Sequence, residues 1–222
     1  MVRDVLDQGV AEVIVVDGGS RDRTVERAEE AGARVVIEPR RGYGRAILRG
    51  IEAARSDAIL LFLDGDGSDQ PRFISDLIRP IVADEVDFVH GTRLKGDRET
   101  GSLSPQQRIA GWLAGLLLRA AYGARFTDMS PYRAIRRDLL DRLGMREKTF
   151  GWNLEMLMRV AASGGRAREV PVGQRRRIGG ASKVSGNFGA SVRAAIVIAV
   201  TFLRLVRELK RPGLSHPEAL PG

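Results

Sequence analysis

The stretch LLFLDGDGSDQP places two aspartates directly after an apolar run, which is an unusual way for a buried strand to end. Asp64 and Asp66 are separated by one glycine, so their carboxylates can approach each other closely. Two neighbouring carboxylates repel unless a proton or a cation lies between them. Magnesium is commonly bound by one or two carboxylates together with the phosphates of a substrate. The pair therefore predicts a site for a divalent cation, Mg²⁺ or Mn²⁺.

Other interpretations of this stretch have to be weighed against a metal site. Asp64 could cap the glycine-containing turn while Asp66 faces water. An EF-hand loop counted from Asp64 fails, because Asp69 and Ser75 stand where glycine and glutamate are needed. A haloacid-dehalogenase-like phosphatase, with Asp64 as nucleophile and Asp66 as acid/base, stays open. Against it, the motif of such enzymes normally lies on the first strand, and here it follows the third.

The elements that position these carboxylates alternate between strand and helix. Apolar runs predict strands, and amphipathic stretches predict helices, at 12–17 (strand), 21–32 (helix), 34–38 (strand), 43–54 (helix), 58–64 (strand), 73–82 (helix, with a break at Pro80) and 87–91 (strand). This alternation predicts an α/β fold with a mostly parallel sheet flanked by helices. Ligands of such sheets bind at the carboxyl ends of the strands, so we expect Asp17, Asp64 and Gly91 at one rim.

Two glycine-containing turns precede the aspartate pair. IVVDGGSRDRT places Asp17 at the end of the first predicted strand, and RRGYGRAILRGI opens a helix with Gly42 and Gly44. The second turn is similar to a dinucleotide fingerprint, but Ile47 stands where the third glycine is required, and the chain has no Walker lysine pattern. Each turn could equally be an ordinary strand-to-helix loop.

The second half of the chain carries longer helical patterns, at 106–123, 151–165 and 190–209. The last contains an uncharged run of only ten residues between Arg193 and Arg204, which is too short to span a bilayer. Residues 211–222 are predicted to be a flexible tail.

Composition limits the classes of protein that fit this chain. The 222 residues contain no cysteine, which excludes disulfides and thiolate metal sites and fits a reducing, cytoplasmic compartment. The net charge is +8, and the basic residues are concentrated in the segment 159–211, which contains 12 Lys/Arg and 2 Asp/Glu. An anionic partner is expected there. Nucleic-acid binding rests on this charge alone, because no RNA- or DNA-binding motif accompanies it, and we expect no nucleic-acid partner.

Taken in chain order, these pieces resemble glycosyltransferase family 2, in particular its dolichol- or polyprenyl-phosphate sugar synthase branch. The similarity extends from about residue 12 to 186 and is carried by IVVDGGSRDRT, GYGRAILRGI, LLFLDGDGSDQP, GTR at 91–93, DMSPYRAIRRDLL at 128–140, GWNLEML with Glu155, and RIGGASKVSG. No single stretch is decisive, but their number and order make the resemblance specific.

The resemblance implies a GT-A fold, a nucleotide-sugar donor and transfer with inversion at the anomeric carbon. It implies that Asp17 holds the uridine or guanosine, that Asp66 and Asp64 bind the metal, and that Ser68 is a further metal ligand. Candidates to hold the rest of the donor are Gly42, Gly44, Arg93, Arg108, Arg133, Arg177 and Lys183. A cation and guanidinium groups can neutralise the charge that develops on a departing nucleoside diphosphate, so Asp64, Asp66 and Arg177 are also catalytic candidates.

The acceptor decides whether a general base is needed. A sugar hydroxyl would require one near neutral pH; His90 lies inside an apolar strand, which leaves Asp128 or Glu155. A polyprenyl phosphate is already an anionic nucleophile and needs no base. The helical patterns at 106–123 and 190–209, with flanking arginines, would suit peripheral contact with the cytoplasmic face of a membrane. Packing against the domain or a partner subunit is the alternative, and the oligomeric state stays open.

The chain also departs from the family pattern. Family members begin with a strand ending in Pro-x-x-Asn-Glu, whereas MVRDVLDQGV reads as the end of the helix that follows it. We therefore expect an N-terminally incomplete GT-A catalytic domain at 1–186, a C-terminal amphipathic helix at 187–210 and the tail at 211–222. Pro131 replaces a glycine that many polyprenyl-phosphate relatives carry, which bears on the identity of the acceptor.

Overall fold

The computed structural model describes residues 1–54, 59–177 and 188–209. In chain order the helices and strands are α1 (Val2–Leu6), β1 (Ile14–Asp17), α2 (Thr24–Glu30), β2 (Arg34–Ile37), α3 (Tyr43–Ala53), β3 (Ile59–Phe62), α4 (Ile74–Val82), β4 (Phe88–Thr92), α5 (Pro105–Tyr122), β5 (Arg133–Arg136), α6 (Arg137–Leu143), α7 (Trp152–Ser163), β6 (Ala167–Pro171) and α8 (Phe188–Leu209). The predicted elements lie within a few residues of these bounds. The sequence patterns did not indicate β5, α6 and β6.

The strands form two sheets within the described residues. β1 pairs in parallel with β2, and the other strands lie in the order β3-β5-β4-β6. β5 runs antiparallel to β3 and to β4, while β6 runs parallel to β4. β3, β4 and β6 therefore point the same way, with one reversed strand between two of them. The predicted α/β fold with flanking helices is confirmed. Three of the four strands in the larger sheet run in one direction, and the reversed β5 makes that sheet mixed.

Helices cover both faces of the four-stranded sheet. Successive side chains of a strand point to opposite faces, so Phe88 of β4 joins the apolar cluster under α5 and α7, while Val89 joins the cluster under α4. Ile135 and Ala134 of β5 divide in the same way. The charges at the ends of RAIR hide this alternation from a search for apolar runs.

Pro80 does not break α4, contrary to the expected interruption. The helix continues to Val82, and the proline ring is buried with Ile81 against the sheet. The missing N–H and the clash with the preceding turn normally disfavour a proline inside a helix. Here the helix ends two residues later, and the proline carbonyl accepts hydrogen bonds from the N–H groups of Glu85 and Val86 in the turn that follows.

The C-terminal helix α8 packs against α7 and α5. Leu205 is fully buried in the same cluster as Phe88, and Arg159 of α7 forms a salt bridge of 2.9 Å with Glu208. The predicted helix at 187–210 is thus observed as α8, and the tail at 211–222 lies outside the described residues. Within the described chain, no helix combines the length and the apolar content needed to cross a bilayer.

Candidate active site

The parallel orientation of β3, β4 and β6 brings their carboxyl ends to one rim of the sheet. Asp64 follows β3 by two residues, and Arg93 comes directly after β4. Arg177 lies on the segment that follows β6. Because β5 is reversed, the loop before it, which carries Asp128, reaches the same rim. The sequence predicted this gathering for Asp17, Asp64 and the end of β4. β1, which ends at Asp17, lies in the separate two-stranded sheet, and the contribution of the loop before β5 depends on strand order.

The loop after β3 holds its two aspartates with its own hydrogen bonds. The backbone N–H of Ser68 donates to Asp66 Oδ1 at 2.9 Å. The backbone N–H of Asp64 donates to Asp69 Oδ2 at 2.9 Å. Gly67 adopts a positive φ of 81°, which favours glycine, and this turn directs both carboxylates to the rim.

The two carboxylates are close enough to interact. Burial raises the pKa of Asp64, and the negative charge of Asp66 raises it further. Arg177 acts in the opposite direction, and its Nε lies 3.0 Å from Asp66 Oδ2. The aspartates are therefore neither splayed apart nor remote from the basic segment that follows β6. A cation between them would relieve the repulsion that raises the pKa of Asp64.

Asp69 is a third carboxylate at this site, and the sequence analysis overlooked it as a functional candidate. Burial, followed by the charge of Asp64, raises its pKa to about 7. Its Oδ1 is buried and has no hydrogen-bond partner among the described residues. The signal that could have identified it is the third acidic position in DGDGSD, five residues after Asp64.

The donors at the rim fit a hard divalent cation. Asp64 Oδ1 accepts a long hydrogen bond, 3.3 Å from the hydroxyl of Tyr43. Among the described residues, no group of three or more acidic, histidine or cysteine side chains is arranged to hold a metal. Two carboxylates with room for substrate phosphates are nevertheless the set that Mg²⁺ favours. Ser68 is buried beside Asp66. Its backbone N–H donates to Asp66, and its backbone carbonyl accepts from the N–H of Arg175.

Asp128 and Arg93 form a buried salt bridge at the same rim. Arg93 donates from Nε to Asp128 Oδ2 at 2.7 Å and from an Nη to Oδ1 at 2.9 Å. Burial acts to raise the pKa of Asp128, but the hydrogen bonds and charge of Arg93 outweigh it and lower the pKa to about 2. A carboxylate with so low a pKa is a poor general base. The predicted phosphate contact of Arg93 is not supported either, because its guanidinium is occupied by Asp128.

Arg133 is fully buried and does not reach the rim as a free cation. Its guanidinium donates to the backbone carbonyls of Pro131 and Asn153, each at 3.2 Å, and to that of Ser130. It also stacks on the indole of Trp152, 5.8 Å from the ring centroid. Its predicted contact with donor phosphate is therefore not supported. Arg133 instead fixes the loop before β5 to the start of α7.

The glycine turn that opens α3 contacts protein backbone. The N–H of Gly44 donates to the carbonyl of Thr149 at 3.2 Å, and that of Arg45 to Lys148 at 3.1 Å. A Cβ on Gly44 would collide with the carbonyl of Glu147, and one on Gly42 with that of Lys148. These glycines are required for close approach of the loop at 145–150, and the described contacts do not assign them to donor phosphate.

Asp17 ends β1 as predicted and organises the turn that follows. Its Oδ2 accepts the N–H groups of Gly19 at 2.7 Å and Ser20 at 2.8 Å, and its Oδ1 accepts the Ser20 hydroxyl. Burial acts to raise the pKa of Asp17, but these hydrogen bonds prevail and lower it. Carboxylate oxygens have further lone pairs, so a nucleoside contact for Asp17 stays a prediction.

The remaining candidate residues differ in their surroundings. Arg108 is exposed in the first turn of α5. Lys183 lies outside the described residues. His90 is fully buried, its Nε2 lies 3.0 Å from the carbonyl of Asp128, and burial lowers its pKa to about 3. Glu155 is fully buried in a salt bridge of 2.9 Å with Arg159. Neither His90 nor Glu155 can meet an acceptor hydroxyl in this arrangement.

Comparison with known proteins identifies the family. The sequence profile of "Glycosyl transferase family 2" matches residues 1–144. An uncharacterised glycosyltransferase of Mycobacterium tuberculosis is 35% identical over 199 residues, covering 87% of this chain and 85% of the relative. The dolichyl-phosphate hexose transferase of Haloferax volcanii is 33% identical over 196 residues, covering 87% and 83%.

A solved structure supports the fold. Glucosyl-3-phosphoglycerate synthase from Mycobacterium tuberculosis, in complex with Mn²⁺, UDP-glucose and phosphoglyceric acid, aligns with a TM-score of 0.68 at 24% identity over 93% of this chain and 75% of the neighbour. The fold is thus the GT-A fold. The profile and the relatives decide against the phosphatase and nucleic-acid-binding alternatives. The chain belongs to glycosyltransferase family 2.

Proposed function

We propose that this glycosyltransferase moves a sugar from a UDP- or GDP-sugar to polyprenyl phosphate, with inversion, at the cytoplasmic face of a membrane. The identity of the acceptor is inferred from the surroundings of the residues that were candidates for a general base. Asp128 is held by Arg93 with a lowered pKa, and Glu155 and His90 are buried. Asp69, whose pKa is raised, is also buried, and its Oδ2 is bonded to the backbone of Asp64. A hydroxyl acceptor would need a base, whereas a phosphate acceptor attacks as an anion. The name of the Haloferax volcanii relative supports the same acceptor class.

Asp64 and Asp66 are the residues that would hold a divalent cation, with Asp69 keeping the backbone of Asp64 in place. When bound, such a cation would neutralise the negative charge that develops on the diphosphate. Of the four arginines predicted to meet phosphate, Arg177 combines exposure with a position at Asp66. Its planar donors suit the oxygens of a diphosphate.

The transfer itself needs no proton to be removed from the acceptor. A phosphate oxygen of the acceptor forms the new bond to the anomeric carbon while the bond from that carbon to the nucleoside diphosphate breaks. The bonding electron pair leaves with the diphosphate, and attack from the opposite side inverts the configuration. Arg177 would stabilise the negative charge that accumulates on the leaving group.

Calorimetric titration of UDP and GDP, with and without Mn²⁺, tests donor binding. We expect affinity to depend on the metal and on Asp66. Incubation with labelled UDP- and GDP-sugars then compares polyprenyl phosphate with phosphoglyceric acid as acceptors. Transfer to the polyprenyl phosphate, giving a product of inverted anomeric configuration, supports the proposal. Transfer to phosphoglyceric acid alone would overturn the acceptor, and metal-independent binding that survives Asp66→Asn would overturn the metal site.

A further inference from the structure

The outer face of α5 is apolar although it is exposed. Ile109, Trp112, Leu113 and Leu116 are between 47% and 64% exposed. Their spacing of three and four residues places them along one side of the helix. The opposite side carries Ala114 and Leu118, which are buried in the core. α5 is therefore apolar on two sides, and only one of them is used by the fold.

α8 has the same property. Ile196, Val200 and Leu203 are between 55% and 59% exposed, while Thr201 and Leu205 face inward and are buried. α5 and α8 contact each other, and both pack on α7, most of whose residues are buried. Because the two helices are neighbours, we take their exposed stripes together and call them the α5–α8 face. Apolar residues gathered in this way mark an interaction surface, whereas scattered ones need no explanation.

The charges around the α5–α8 face have one predominant sign. Arg108 and Arg119 stand at the two ends of the α5 stripe, and α5 contains no Asp or Glu. Arg207 is exposed near the end of α8, and the acidic residue of α8, Glu208, is engaged by Arg159. Two copies of this face placed together would oppose arginine with arginine. An anionic lipid surface complements both the apolar stripe and its guanidinium border.

The α5–α8 face also begins beside the candidate active site. Gly111 of α5 lies against Asp128, since a Cβ built there would be 3.1 Å from Asp128 Oδ1. Arg108 and Ile109 are less than one helical turn away along the same helix. A lipid-borne phosphate presented at this end of α5 would therefore be near the Asp128–Arg93 pair and the rim.

We infer that the α5–α8 face seats the protein on an anionic phospholipid leaflet, with the apolar stripes at the level of the headgroups. Its purpose rests on the proposed lipid acceptor, because it would bring the rim to a phosphate that stays in the membrane. Binding to vesicles requires neither donor nor acceptor, so the surface can be tested apart from the reaction.

The two tryptophans supply a direct readout. Trp112 lies on the α5–α8 face, and Trp152 is fully buried. We expect vesicles of phosphatidylcholine with phosphatidylglycerol to shift the emission of the wild-type protein to shorter wavelength, and vesicles of phosphatidylcholine alone to do so much less. Trp112→Phe should remove the shift. An unchanged wild-type emission together with no sedimentation on anionic vesicles would overturn the inference.

Sedimentation with the same vesicles distinguishes binding through the α5–α8 face from nonspecific binding of the protein to lipid. Trp112→Glu and Leu116→Gln should weaken binding about tenfold or more, the effect of losing about 1.4 kcal/mol. Val82→Glu is the matched control, because Val82 is 69% exposed on α4, away from this face, and should bind normally. Equal weakening by Val82→Glu would contradict the assignment. A dimer abolished by Trp112→Glu, without vesicle binding, would assign the face to a second copy instead.

The reaction is then assayed with a short-chain, water-soluble prenyl phosphate and no vesicles. Trp112→Glu should retain wild-type transfer under these conditions and lose it with long-chain acceptor in anionic vesicles. Loss of both would show that the substitution damages the enzyme and would count against a seating role. Absence of transfer by the wild type to either acceptor would refute the proposed function, while vesicle binding would still stand.

Discussion

Two groups of carboxylates at the rim of the sheet, the buried Asp128 and the Asp64–Asp66 pair that follows β3, have opposite relations to their surroundings. Asp128 is matched by two guanidinium hydrogen bonds from Arg93, and its pKa is lowered. Burial, followed by the charge of the neighbouring Asp66, raises the pKa of Asp64. The buried Asp128–Arg93 pair satisfies its charge within the fold. The loop after β3 holds negative charge that the fold leaves incompletely compensated, and such sites are where ligands and chemistry are expected.

The same contrast separates the arginines. Arg93 and Arg133 are buried and fully engaged by a carboxylate or by backbone carbonyls, whereas Arg177 is 41% exposed at Asp66. Residue type alone does not distinguish them. An arginine that stabilises the fold is buried with its hydrogen-bond partners, whereas an arginine that is available to a ligand is exposed at the rim.

Asp66→Asn is the substitution with the largest expected effect. Removing one of two metal-binding carboxylates should abolish metal-dependent binding of UDP or GDP and lower transfer by about 10²–10³-fold, the usual cost of losing one electrostatic group in an active site. Stability should change little, because Asp66 and Arg177 form a partly exposed pair. Titration calorimetry, turnover and chemical denaturation give the three measurements. Asp76→Asn, an exposed acid on α4, serves as the control, and equal effects of both variants would refute the metal role.

Asp128→Asn should act in the opposite way, mainly on stability. It leaves the guanidinium of Arg93 buried without its countercharge, which costs about 3 kcal/mol or more. The free energy of unfolding from denaturant titration measures this. Replacing both partners, Arg93→Met with Asp128→Leu, should recover part of the loss because no buried charge is left unpaired. A single variant as stable as the wild type would show that the pair does not hold the fold.

Acid should destabilise the wild-type protein through the same pair. The pKa of Asp128 is lowered from 3.8 to about 2 in the folded state, so its stabilisation is fully present above about pH 5 and declines as the pH falls toward 2. A shift of this size corresponds to about 2 kcal/mol. Denaturation curves between about pH 6 and pH 2, the range that spans the unfolded and folded pKa values, should converge for wild type and Asp128→Asn. Parallel curves would contradict the assignment of this pKa.

The sequence indicated much of this site because its signals are local. Apolar runs located β1 to β4, and DGDGSD identified the rim carboxylates without knowledge of the fold. Strand order is not local: β5, which brings Asp128 to Arg93, has only four residues and is flanked by arginines. The family resemblance made Arg133 and Gly44 candidates for donor binding, whereas distant segments of backbone surround both in the folded chain. Which distant segments bury a given residue depends on the folded arrangement of the chain, and the pattern of a single sequence does not contain that information.

An exposed ion pair provides the smallest expected effect and tests whether burial, and not pairing alone, underlies the comparison. Arg142 and Asp138 lie one turn apart on α6 with 2.8 Å between Nη1 and Oδ2, and both side chains are more than half exposed. Arg142→Gln should lower the free energy of unfolding by about 0.5 kcal/mol or less, since solvent screens such pairs and side-chain entropy offsets them. The Asp128–Arg93 pair has the same close geometry but lies out of water, so the difference between Arg142→Gln and Asp128→Asn measures what burial adds. If the two variants were equally destabilised, burial would add nothing to a paired charge, and the contrast between Asp128 and the Asp64–Asp66 pair would lose its physical basis.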